Sequence, residues 1–226
     1  MFQRLLLCRT CQRHRLRVTL VPKRQHGMYT LQWVQYVSNR FRKKIVARYG
    51  PDVGCAEWIF RCGGASVKFS QHNQPITSRR ELWKLVDSVP DPGALQLTHI
   101  DASDSVMHAQ GCARYLPFCT HIHTMRVNFC DYLDESFLMN DLMPQRNTLT
   151  DLEIVSSVIS YDGIRALKYY RALRRLHLYM LLCVSEEERV KVLAELYAAL
   201  PHCDISFPPL GNVGMGHRPG WFKSIR

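Results

Sequence analysis

Acidic residues are missing from the start of this chain. Residues 1–51 carry twelve Lys/Arg and no Asp or Glu, and the first acid is Asp52. Beyond that point 18 basic and 19 acidic residues nearly cancel, so the formal net charge of +11 belongs to the N-terminus. A nearly neutral body argues against a nucleic-acid-binding protein. Also missing is any apolar run of the ~20 residues that a spanning helix needs. Phosphate-binding and dinucleotide glycine loops, the nucleophile elbow and the His-Glu-x-x-His zinc motif are absent. No nucleophile, base and orienter converge in one motif, so an enzyme is not expected. Cysteines are present but lack framework spacing: nine is an odd number. Free, buried thiols in a reducing compartment are expected.

What is present begins with MFQRLLLCRTCQRHRLRVTLVPKR, which is Arg-rich and acid-free, with Leu and Arg spaced for an amphipathic helix. This is the composition of a mitochondrial transit peptide, expected over residues 1–27. The competing reading is a basic arm for nucleic acid. A hydrophobic content of 46% over 226 residues is enough for one sizeable core.

The central signal is a repeat. Written L-x-x-L-x-L-x-x-C, it appears as LTHIDASDS, IHTMRVNFC, LTDLEIVSS and LRRLHLYML, and in broken form as LPHCDISF. The starts are 97, 122, 149, 173 and 200. A period of ~20–29 residues is the leucine-rich-repeat signature: a short strand, a turn, and a return segment that stacks on its neighbour. The expected fold is α/β: a short leucine-rich-repeat solenoid with parallel strands, convex helices and an N-terminal helical cap. The returns read as helices. One opens on Ser185 and Glu188, a capping box, with Val190, Leu193, Tyr197 and Leu200 lining one face. Another carries Ile164, Leu167 and Tyr170 or Arg171 inward. The domain boundaries expected are 28–94 for the cap, 95–206 for the repeats and 207–226 for a flexible tail.

Within the cap, residues 28–49 read as one amphipathic helix with a basic second half. Such a helix suits an anionic membrane surface or a solvated capping face. Asp52 is placed to N-cap a helix over 53–62 that Gly63 and Gly64 stop, and a strand Ala65–Phe69 follows.

GPDVGCAEWIFRCGG, the later IDASDS, MRVNFC and DGIRALKYYRALRRLHL together resemble the mitochondrial ATP synthase subunit s (coupling factor B) family, over roughly residues 28–206. A related family with the same architecture assists assembly of the distal membrane arm of respiratory complex I. The resemblance implies a non-catalytic protein on the matrix face of the inner membrane. It would be needed for coupled proton conduction by ATP synthase and would limit proton leak. It also implies a Mg²⁺ beside Gly63 and Ser103, in a structural role, with oxygen ligands that suit this ion. The family's Cys-x-Cys pair is here Asn128 and Cys130, which argues against a dithiol switch.

The residues between inward apolar positions face the usual binding surface of such solenoids. Asp101, Arg126, Glu153, His177 and finally Asp204 are expected to form a ladder of alternating charge. The bland reading is mutual neutralisation. The functional reading is a docking strip for a partner, with Asp101, Arg126, Glu153, Arg175, His177 and Tyr179 as its residues. The partner would be ATP synthase on its membrane-sector side, or complex I assembly intermediates. Peripheral contact with the inner membrane and self-association are left open. A more distant alternative is a cytosolic adaptor of a ubiquitin ligase. Zinc is not expected at Cys8 and Cys11, which lack a second pair. Nor is it expected at Cys112, Cys119, His121 and His123, where the repeat turns Ile122 inward.

Overall fold

The structure, a computed structural model, describes residues 33–209. The expected transit peptide, Cys8 and Cys11, and all but the first three residues of the expected tail lie outside the described residues. The architecture is mixed α/β. Six strands form one sheet in chain order: β1 (Ser66–Phe69), β2 (Leu97–Asp101), β3 (Thr124–Arg126), β4 (Asp151–Val155), β5 (Arg175–Tyr179) and β6 (Asp204–Ser206). β2 to β6 are parallel, and β1 closes one end antiparallel to β2. A bridge from Val67 to Ile76 covers the outer side of β1, which blunts an otherwise open edge.

The parallel strands recur as one unit. Ile100, Met125, Leu152, Leu176 and Ile205 lie side by side and are buried. After each of the first four strands the backbone turns through a left-handed residue: Asp104, Phe129, Ser156 and Met180, with φ between 53° and 59°. None is glycine, so each turn carries a small steric cost. Amides at the first three reach the neighbouring unit: Asp104 N–H donates to Asn128 O at 2.8 Å, Phe129 to Val155 O at 2.8 Å and Ser156 to Tyr179 O at 2.9 Å. The turns therefore continue the ladder that the strands begin.

The last unit departs from the expected alignment. Asp204 pairs with Arg175, and Ser206 with His177. LPHCDISF thus has two residues more between its first leucine and its strand than the preceding unit, where Leu173 leads into Arg175. Cys203, Ile205 and Phe207 alternate inward, and Asp204 falls out of the central row.

The return segments pack on one another in order. They include α4 (Ala109–Tyr115), a π-helical turn (Phe137–Asp141), α5 (Tyr161–Arg165) and α6 (Glu186–Ala199). Ile164, Leu167 and Tyr170 are buried and Arg171 is exposed. Helix α6 has the capping box of Ser185 and Glu188. Its inner face is Val192, Leu196 and Leu200, however, and Val190 and Tyr197 are exposed. The helix has apolar residues on two sides, and the side with Val192 and Leu196 is fully buried, which leaves Val190 outward. The Arg189 guanidinium donates to Phe207 O at 2.7 Å.

The cap also differs from expectation. Residues 33–38 are helical, the chain breaks at 39–42, and α1 (Lys43–Tyr49) follows. Asn39 causes the break. Buried, it donates to Gln35 O at 2.9 Å and Val106 O at 2.8 Å, and accepts from Trp58 Nε1 at 3.3 Å and His108 N at 3.0 Å. Helix α2 (Pro51–Arg61) is preceded by Gly50, with Pro51 in its first turn. Asp52 is therefore inside the helix and does not cap it. Its Oδ1 accepts from Leu97 N at 2.8 Å and fixes the start of β2. Gly63, at φ +90°, ends α2, with Gly64 N–H reaching Ile59 O at 2.9 Å. Helix α3 (Arg79–Ser88) completes the cap.

Candidate docking face

Alternate strand residues outside the core form two polar rows across the sheet. In the central row Asp101, Arg126, Glu153 and His177 lie side by side. Arg126 sits between two acids, its Nη1 3.0 Å from Asp101 Oδ2 and its Nε 3.3 Å from Glu153 Oε2. Asn128 Nδ2 donates to Glu153 Oε1. Asn128 therefore steadies the row. The side chain of Glu153 is only 1% exposed. An acid so buried needs these partners, because an unpaired buried charge is costly. His177 is buried beside Glu153.

The outer row runs His99, Thr124, Asp151, Arg175 and Asp204. Arg175 pairs with Asp151, and Thr150 Oγ1 donates to Asp151 Oδ2 at 2.6 Å. Burial is the main reason the pKa of His99 is lowered, which favours its neutral ring. The structure thus brings Asp101, Arg126, Glu153 and His177 into one row, and Arg175 into the next. Tyr179, next to Val155 on β4, is 6% exposed. Arg175, with 41% of its side chain exposed, is the most accessible of the six. The central row neutralises its own charges, and the outer row offers more surface to a partner.

One charged centre was not foreseen. Glu57 in α2 is fully buried and meets three arginines: Arg79 Nη2 at 3.0 Å, Arg42 Nη1 at 3.1 Å and Arg61 Nε at 3.5 Å. Arg61 also donates to Arg40 O at 2.8 Å and to the Tyr115 hydroxyl at 3.2 Å. Tyr115 stacks on Trp58, ring centres 5.0 Å apart. The Glu-Trp and Arg-Cys-Gly pieces of the motif thus bind the 39–42 break to the first return segment. The visible signal was an acid flanked by Ala and Trp in an apolar stretch.

The turn at Gly63 lies against the one at Ser103, since Val106 N–H donates to Cys62 O and Ala65 N–H to Asp101 O, both at 2.9 Å. Neither Gly63 O nor Ser103 O accepts a hydrogen bond among the described residues. Two spare carbonyls suit a hard cation. The carboxylate of Asp101 is committed: Oδ1 accepts from Ser103 Oγ at 2.6 Å and Oδ2 faces Arg126. Among the described residues no three His, Cys, Asp or Glu side chains converge as a metal site. Asp104 is the acid next to Ser103 in the chain. Cys130 is buried, its Sγ 3.0 Å from Ala102 O, and burial pushes its thiol up to about 11. That disfavours the reactive thiolate.

Fold and site together define a protein of stacked strand–turn units whose polar face is tied into ion-paired rows. No family model matches the chain. It is similar to the mitochondrial ATP synthase subunit s of Bos taurus: 26% identical over 176 residues, covering 75% of this chain and 83% of the bovine protein. This likeness over three quarters of the chain agrees with the resemblance carried by the motifs.

Proposed function

We propose that this chain is a non-catalytic accessory protein of the mitochondrial ATP synthase that acts by docking. The observation that carries the reading is its likeness to bovine subunit s across 83% of that protein. The finer reading follows the family resemblance: a place on the matrix face of the inner membrane, contact on the membrane-sector side, support of coupled proton conduction and limitation of proton leak. The sheet is read as a leucine-rich-repeat solenoid over 95–206 capped by 28–94. The recurrence of a left-handed turn at Asp104, Phe129, Ser156 and Met180 supports this. Arg175 and the outer row are the docking residues, with the central row as their rigid support. If Mg²⁺ binds, Gly63 O and Ser103 would hold it, and it would tie the cap's turn to the first unit.

The test is affinity purification of the tagged full-length protein from gently solubilised mitochondria, with mass spectrometry of the eluate. ATP synthase subunits are the expected companions. Complex I membrane-arm proteins in their place would move the function to assembly of that complex. Absence from mitochondria, or ubiquitin-ligase subunits in the eluate, would end both mitochondrial readings.

A further inference from the structure

We propose that a cleft between the turns leading into β5 and β6 binds an organic phosphate. This goes beyond the accessory role and does not depend on it. The cleft encloses about 510 Å³, within the ~300–1,000 Å³ usual for small-molecule sites. Four basic residues line it, Lys168, Arg171, Arg174 and His202, and no Asp or Glu does. Arg171 and Arg174 are exposed, and neither guanidinium has a hydrogen bond or ion pair among the described residues. Lys168 is only loosely held. Its Nζ is 3.6 Å from Glu195 Oε2, an oxygen that Arg165 already takes at 2.7 Å. Arg171 and Arg174 carry like charges with no acid paired to either among the described residues, and a bound anion offsets that charge.

The backbone fixes the two arms of the cleft before any ligand arrives. Arg174 N–H donates to Thr150 O at 2.8 Å, and Asp204 N–H donates to Arg174 O at 2.8 Å. Opposite, Cys203 N–H closes a turn on Leu200 O at 3.0 Å. Pre-set turns lower the ordering cost of binding. Two guanidinium forks match the paired oxygens of a phosphate. The volume exceeds what a bare phosphate fills, and Tyr169 and Pro201 in the lining offer an aromatic ring and an apolar edge to an organic body. A soluble nucleotide and a phospholipid headgroup share this chemistry.

The experiment is calorimetric titration of the full chain with ADP and, separately, with monomeric dihexanoyl phosphatidylglycerol. The R171Q/R174Q double variant changes two exposed side chains. R80Q/R114Q removes the same charge elsewhere, and thermal melts of both variants confirm that they remain folded. Saturable binding weakened about tenfold or more by R171Q/R174Q, and unchanged by R80Q/R114Q, is expected. An effect with ADP assigns the soluble source, and one with the lipid alone assigns the headgroup. No saturable binding of either probe at millimolar concentration, or equal loss in both variants, overturns the proposal.

Discussion

Asp141 closes the π-helical turn with its side chain buried and its Oδ2 without a hydrogen-bond partner. Burial, with Asp134 nearby, raises its pKa from 3.8 to about 6. The folded state therefore holds this proton over a pH range in which the unfolded chain has released it. Stability linked to the group is full below about pH 4 and is lost as pH rises through 6. Asp141→Asn removes the ionisable group. Thermal melts should show the variant more stable than the parent by about 1–3 kcal/mol at pH 7.5. The gap should narrow steadily toward pH 4, and a gap independent of pH would show that the carboxyl is paired in solution. Glu57 is the contrasting case. Three arginines surround it at 3.0–3.5 Å, where Asp141 has none among the described residues.

Among the elements, α4 shows how closely the cap and the first unit are fitted. A Cβ on Gly111 would lie 2.6 Å from Asn39 Oδ1 and 2.7 Å from Trp58 Cζ2. Alanine in a helix interior gains about 1 kcal/mol over glycine from propensity alone. Here the added methyl meets a buried side-chain hub with no room to move. Overpacking of this kind costs about 1–3 kcal/mol, so Gly111→Ala should destabilise on balance. A lowered denaturation midpoint should accompany loss of Trp58 fluorescence burial. The strand units were legible in the sequence because each must bury apolar residues at fixed steps, and Met125, Leu152 and Leu176 meet as that spacing requires. The motif around Glu57 was legible as a resemblance, but its role was not. Its partners Arg42, Arg61 and Arg79 are scattered along the chain, and only packing unites them. Asn39 hid for the same reason: a polar residue within a helical pattern carries no mark of long-range bonds to Val106 and His108. In α6 the apolar residues offered two faces, and packing that buries Val192 and Leu196 against the core chose one.

At the scale of the whole molecule, charge and exposed apolar area gather at the same end. Trp33 and Tyr36 are 66% and 68% exposed, and Val34 and Val37 are exposed beside them. Arg40, Lys43, Lys44 and Arg48, also exposed, follow directly, while Arg42 turns inward to Glu57. No helix among the described residues is long and apolar enough to cross a membrane. A surface with aromatic rings beside cations instead suits the interface of an anionic bilayer, where rings sit at headgroup depth. Each Lys or Arg near such a surface contributes about 1 kcal/mol, within a Debye length. The protein should therefore float with phosphatidylglycerol-containing vesicles and not with phosphatidylcholine alone. Lys43→Gln with Lys44→Gln should weaken partitioning by roughly tenfold to thirtyfold. Raising the salt should weaken the parent further, because a Debye length near 3 Å at 1 M leaves little attraction. Trp33→Ala with Tyr36→Ala should lower binding with the salt dependence kept. Equal binding to neutral and anionic vesicles would leave the rings alone to hold the membrane, and no binding to either would assign this end to a protein contact. In that last case the cap's exposed end and the outer row around Arg175 would share the docking between them.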